Sequence, residues 1–124
     1  MDPRIASAVR RLEEEIREPL TVAALAQPLR LSPSRFAHLF TKEVGMSPMR
    51  YLHTQRMIQA RRLLEQTFMS VKEVMVQVGC SDPSHFARDF QRFHGLPPTQ
   101  WRAAARAARQ DPPMSGSGDN ARER

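Results

Sequence analysis

Apolar residues fall at helical spacing along most of the chain. Ile5, Val9, Leu12 and Ile16 recur at steps of three and four, which puts them on one face of a first helix. Pro19 ends it. Thr21 is placed to cap a second, short helix over residues 22–29, with Leu25 and Ala26 inward and Pro28 in its last turn. Ser32-Pro33 is a start signal. The Ser oxygen accepts from free N–H groups, and Pro suits the first helical position, where its missing N–H costs nothing. That helix runs to Val44 and exits through Gly45 in the left-handed conformation. Ser47-Pro48 opens a long helix over residues 48–66, with Leu52, Ile58, Ala60, Leu63 and Leu64 as its expected core. Ser70-Val71-Lys72-Glu73 reads as a capping box whose helix stops at Gly79. Asp82-Pro83 opens another that ends at Gly95, and Pro97-Pro98 opens a last one reaching about Ala108. No useful length alternates with period two, so the pattern predicts an all-α chain of seven helices. Residues 110–124, rich in Pro, Gly, Ser and Asp, are expected to be disordered.

One pattern occurs twice. Ser34, Phe36, Ala37, Phe40, Gly45, Pro48 and Tyr51 return fifty residues later as Ser84, Phe86, Ala87, Phe90, Gly95, Pro98 and Trp101. Upstream the offset is forty-nine, pairing Val22 with Val71 and Ser32 with Ser81, so the second copy carries one extra residue in its turn. Two copies are too few for a solenoid and imply two similar modules on a spacer. The chain divides into an N-terminal module (1–47), a linker helix (48–66), a C-terminal module (67–109) and a tail (110–124).

Each module is a short helix, a tight turn and a second helix of about twelve residues. That is the helix-turn-helix, whose second helix enters the DNA major groove. In the first of these helices Phe36, Leu39 and Phe40 form the buried stripe. Ser34, Ala37, His38 and Thr41 lie opposite, with Arg35 and Lys42 flanking. In the second, Phe86, Phe90 and Phe93 are the expected buried stripe. Ser84, Ala87, Arg88 and Gln91 face out, with His85 and Arg92 flanking. Small residues permit close approach, Arg reads guanine edges, and flanking cations, Thr and Gln reach phosphates. The linker, at 1.5 Å per residue, spans roughly 27 Å, so its ends hold the two helices about one DNA turn apart.

Composition sharpens the choice of partner. A formal charge of +6 and a pI of 10.9 favour a polyanion. Double-stranded DNA is the expected partner. No apolar run spans a membrane, and the N-terminus leads straight into an amphipathic helix with no signal peptide, so a cytoplasmic protein is expected. Cys80 is the lone cysteine, which excludes an internal disulfide. His38, His53, His85 and His94 are dispersed and lack metal-ligand spacing, and no cofactor is expected.

The residues resemble the DNA-binding domain of the AraC/XylS transcription regulators over about residues 4–105. The first copy supplies Leu31-Ser32-Pro33-Ser34-Arg35-Phe36, then Phe40 and Gly45-Met46-Ser47-Pro48. Tyr51-Leu52, Arg56, Ala60 and Leu63-Leu64 match the linker helix. The second supplies the long run Val78-Gly79-Cys80-Ser81-Asp82-Pro83-Ser84-His85-Phe86-Ala87-Arg88-Asp89-Phe90, then Gly95, Pro98 and Trp101-Arg102. The resemblance implies two helix-turn-helix subdomains joined by a long helix. It implies base contacts from Ser34, Ala37 and His38, and from Pro83, Ser84, Ala87 and Arg88. It further implies activation through RNA polymerase. The chain departs from the family at Cys80, where an aromatic is usual, and at His85, where Tyr is common. Many members carry a separate ligand-binding domain, for which 124 residues leave no room.

Several residues carry two readings. Cys80 is a buried structural thiol or a redox sensor; catalysis by Cys80 with His85 lacks an orienting third group. Arg56 is a structural ion-pair partner ahead of a DNA contact. The run from Trp101 to Arg109 reaches phosphates or is a solvated helix anchored by Trp101. The expected function is a monomeric, sequence-specific DNA-binding regulator. The alternative is a protein-interaction module that sequesters a partner and binds DNA only weakly.

Overall fold

Asp2, Thr21, Ser32, Ser47, Ser70 and Asp82 each accept a hydrogen bond from a backbone N–H two or three residues on, and each starts a helix. The structure is a computed structural model that describes residues 1–110. Its elements are α1 (Pro3–Glu14), α2 (Val22–Ala26) continued by a 3₁₀ turn (Gln27–Leu29), α3 (Pro33–Val44), α4 (Pro48–Gln66), α5 (Val71–Gln77), α6 (Pro83–His94) and α7 (Pro98–Gln110). Seven α-helices and no strand occur among the described residues. The capping box closes in both directions, Glu73 N–H to Ser70 Oγ at 3.0 Å and Ser70 N–H to Glu73 Oε1 at 2.8 Å. The expectation of disorder over 110–124 lies outside the described residues, apart from residue 110, which ends α7. Among the described residues no helix is long and apolar enough to cross a membrane.

Two apolar clusters hold the helices. Ile5, Ala8, Leu12, Leu25, Ala26, Phe36, Phe40 and Leu52 form the first. Met57, Ala60, Leu64, Val74, Met75, Val78, Phe86 and Phe90 form the second. Both draw on α4, whose N-terminal half serves the first and whose C-terminal half serves the second. Burial of a Phe or Leu side chain contributes about 1.5–3 kcal/mol each. Ile58, an expected core residue, is only half-buried and lines a surface groove; Met57 takes the inward place and Leu63 packs at the edge.

The internal repeat reaches further than the sequence pattern indicated. Ile5, Ala8 and Leu12 on α1 match Met57, Ala60 and Leu64 on α4 at an offset of fifty-two, and all six are buried. The aromatic geometry repeats as well. Phe36 to Phe40 and Phe40 to Tyr51 measure 5.7 and 5.9 Å between ring centroids, and Phe86 to Phe90 and Phe90 to Trp101 measure 6.1 and 6.2 Å. Tyr51 Oη donates to Glu13 Oε2 at 2.6 Å, and Trp101 Nε1 donates to Glu65 Oε2 at 2.9 Å. Helix α4 is thus both the closing helix of the first unit and the opening helix of the second.

Helix α1 was expected to carry its pattern through Ile16, but it ends at Glu14, and Glu15 N–H closes on Arg11 O. Ile16 leaves the helix and packs against both clusters. Around it lies the seam between the units. Arg56 Nε donates to Ile16 O at 2.8 Å and Nη2 to Glu18 O at 2.9 Å. Arg56 therefore serves backbone carbonyls, not the carboxylate partner expected of it. Gly79, at φ +85°, presses its Cα face on the same segment; a Cβ there would sit 2.7 Å from Ile16 O. Its counterpart at offset forty-nine, Arg30, is also left-handed (φ 59°) but exposed, so a side chain is tolerated.

Candidate nucleic-acid interface

The apolar stripes of α3 and α6 decide what their other faces present. With Phe36 and Phe40 fully inward, Ser34, Arg35, His38, Thr41 and Lys42 are exposed, and Ala37 is half-buried. With Phe86 and Phe90 inward, Pro83, Ser84, His85, Arg88, Gln91 and Arg92 are exposed, and Ala87 is half-buried. The residues expected from the sequence to read bases or phosphates thus sit together on two matching faces. Thr41 Oγ1 donates to Ala37 O at 2.8 Å, so in this rotamer its proton is spent within the helix. His85 Nε2 lies 3.1 Å from Asp89 Oδ2, which leaves its other nitrogen free of that pair.

Phe93 does not join the buried stripe and is 43% exposed. His94 takes the inward flank: Nε2 lies hydrogen-bonded 2.9 Å from Met57 O, and the ring packs on Phe90 (4.5 Å) and Trp101 (5.4 Å). Phe93 turns toward α4, where its ring meets His53 edge-on at 6.4 Å.

Asp89, which the sequence reading gave no role, joins α6 to α4. Its carboxylate, 15% exposed, faces His85 at 3.1 Å, His53 at 3.7 Å and Arg92 at 4.0 Å. The two histidines were visible in the sequence; their meeting through Asp89 depends on how α4 crosses α6. No group of three or more His, Cys, Asp or Glu is arranged to hold a metal ion among the described residues. Cys80 packs against the second cluster, and burial pushes its thiol above the usual range, with nearby Arg56 opposing and Asp89 assisting. That environment disfavours the reactive thiolate. At the chain's far end, Arg102 Nε donates to Leu64 O at 3.1 Å, and the Arg106 guanidinium sits 5.4 Å from the Phe68 ring centroid. Trp101 and Arg102 thus anchor α7 on the end of α4.

Two like helices, each opened by a Pro after its cap and closed by a left-handed Gly, present small and basic residues from either side of one connecting helix. A family profile described as a helix-turn-helix domain matches residues 25–104. The arabinose operon regulatory protein of Escherichia coli is 35% identical over 104 residues, covering 83% of this chain and 36% of that protein. The chain belongs to the AraC/XylS family.

AraC/XylS members are sequence-specific DNA-binding transcription regulators, and this chain carries their helix-turn-helix unit. The chain spans about a third of the length of the curated relatives it matches. Among solved structures it is similar to the DNA-binding domain of AdpA in complex with a target DNA. That similarity has a TM-score of 0.82 at 35% identity and covers 88% of this chain and 98% of that one. It also resembles the C-terminal domain of AraT, a response regulator from Geobacillus stearothermophilus. There the TM-score is 0.79 at 26% identity, covering 83% and 86% of the two chains.

Proposed function

We propose that this AraC/XylS chain binds, as a monomer, an asymmetric DNA site by inserting α3 and α6 into successive major-groove segments. Ser34, Ala37 and His38 contact bases in one segment, and Pro83, Ser84, Ala87 and Arg88 in the other. Arg35, Thr41, Lys42, His85, Gln91 and Arg92 reach flanking phosphates, Thr41 only after its hydroxyl turns away from Ala37 O. The observation that carries this reading is the matched exposure of the two outward faces across a repeat whose buried faces are also matched. Helix α4, at 19 residues, is roughly 28 Å long, close to the pitch of one DNA turn. The AdpA domain, solved with a target DNA, supports DNA as the ligand. Action as an activator through contact with RNA polymerase belongs to this proposal, and the resemblance to the AraC/XylS regulators is what supports it.

The test is selection of bound DNA from a random pool, followed by titration of the best site over a salt series. His38→Ala and Arg88→Ala are each expected to cost roughly 1–3 kcal/mol on that site and little on random DNA. Multiple phosphate contacts give a steep fall of affinity with salt. No enriched site, with both substitutions silent, would overturn the reading in favour of a protein-interaction module.

A further inference from the structure

Between the two units lies a cleft of about 510 Å³, lined by Met46, Arg50, His53, Thr54, Asp89, Arg92 and Phe93. One wall is the turn after α3 and the first half of α4; the other is the flank of α6. On α6, Arg92 borders the outward face of Ser84 and Arg88, and Phe93 lies next to the buried stripe. The cleft therefore opens beside the recognition face of α6 and is bounded at its far rim by the exit of α3. The occupant this position suits is the backbone of a duplex lying on both α3 and α6.

The chemistry of the lining fits that occupant. Arg50 is exposed and makes no ion pair within 4 Å among the described residues. Arg92, with an 81% exposed side chain, reaches Asp89 only at the 4.0 Å limit. His53 is 42% exposed at its side chain and is oriented by Asp89 on one side and the Phe93 ring on the other. The one carboxylate of the lining, Asp89, is 15% exposed and faces His85 and His53, whereas Arg50 and Arg92 are both exposed. Phe93 and Met46 supply apolar surface, which suits the carbon face of a deoxyribose. Side-chain contacts to phosphate and sugar set register on a duplex without reading its sequence.

We propose that this cleft seats the sugar–phosphate backbone joining the two major-groove segments, with Arg50 and Arg92 on the phosphates and His53, Phe93 and Met46 along the sugar edge. The proposal rests on the two-helix reading of DNA given above and adds a third contact to it. It makes the path of the DNA between the segments part of recognition. A spacer that does not bring a phosphate to the cleft loses these contacts, so its flexibility enters the affinity.

The test uses the full chain and its selected site, prepared with one phosphate at a time replaced by a neutral methylphosphonate. In the unsubstituted protein, neutralising one or two adjacent spacer phosphates is expected to weaken binding about fivefold, as for a partly solvent-exposed charge contact. Arg50→Ala and Arg92→Ala should each lose most of that sensitivity at the spacer. They should retain it at phosphates flanking α3 and, for Arg50→Ala, flanking α6. The log–log salt slope should fall by about 0.9 in each variant. Both side chains are solvent-facing, and circular dichroism checks that the helices remain. Spacer methylphosphonates bound as tightly as phosphates, or undiminished penalties in both variants, would overturn the proposal while leaving the two-helix reading intact. Absence of any selected site would overturn both.

Discussion

Replacing Gly79 by Ala places a methyl group in the seam between the two units. Two separate penalties arise. The residue sits at φ +85°, where an L side chain costs about 1–2 kcal/mol. The new Cβ also meets Ile16 O at 2.7 Å, Arg17 O at 3.0 Å and Arg56 Nη2 at 3.0 Å. Two of these are backbone atoms, and Ile16 O is further held by Arg56 Nε, so they do not yield as a flexible side chain would. Overpacking of this kind adds about 1–3 kcal/mol. The total, about 2–5 kcal/mol, is a large share of the roughly 5–15 kcal/mol that stabilises a domain. Gly45 and Gly95 supply matched controls. Their φ values are +94° and +95°, and a Cβ at either meets nothing within 4 Å. Gly95→Ala should therefore show only the conformational penalty, about 1–2 kcal/mol. Urea unfolding followed by helical dichroism and by the single Trp reads all three variants on one scale. Equal losses at Gly79 and Gly95 would refute the reasoning, because the close approach at the seam would then contribute nothing.

Trp101→Phe keeps most of the ring contact with Phe90 but removes the bond to Glu65, and a loss of about 1 kcal/mol in urea unfolding is expected. The single tyrosine, Tyr51, is pushed up to about 12 by burial first and then by its bond to Glu13 and that carboxylate's charge. Because the folded value is raised, its contribution to stability is whole below pH 10 and is lost as pH rises through about 12. Absorbance titration should give that midpoint in the native protein, a value near 10 in urea, and an intermediate one in Glu13→Gln. Cys80 should react slowly with a thiol reagent at pH 8 and quickly once urea exposes it; equal rates would contradict the raised thiol.

Local signals account for most of what was legible in the sequence. A Ser or Asp before Pro caps a helix whatever surrounds it, a capping box does the same at Ser70, and a Gly after the last apolar residue ends one; these rules located the starts of α3, α4, α5 and α6 and the ends of α3 and α6. The readings that failed depended on which neighbour a face meets. On α6, residues 93 and 94 lie on opposite flanks of the Phe86–Phe90 stripe. Apolarity alone selects Phe93, yet His94 turns inward because Met57 O offers it a hydrogen bond. On α4, Ile58 looked like core by composition. The helix changes partners midway, and the inward direction turns with it to Met57. Arg56 was legible as structural, but its partners are carbonyls exposed only because α1 stops at Glu14. Of the candidate interface, the two outward faces followed directly from the repeat. The Asp89 junction and the cleft beside it did not, because they depend on the packing of α6 against α4.

Helix α4 is read by two cores at once, and this acts as a gear between them. A residue inserted between Leu52 and Met57 would turn the second core by about 100° and advance it about 1.5 Å, swinging α6 away from the side that α3 addresses. Seven inserted residues would restore the phase to within about 20° and lengthen the helix by about 10.5 Å. That is close to the rise of three base pairs at 3.4 Å each. The separation of the two outward faces therefore cannot be tuned smoothly. An architecture with one shared helix changes its span in steps of about two helical turns, and any finer adjustment has to come from the partner laid across it.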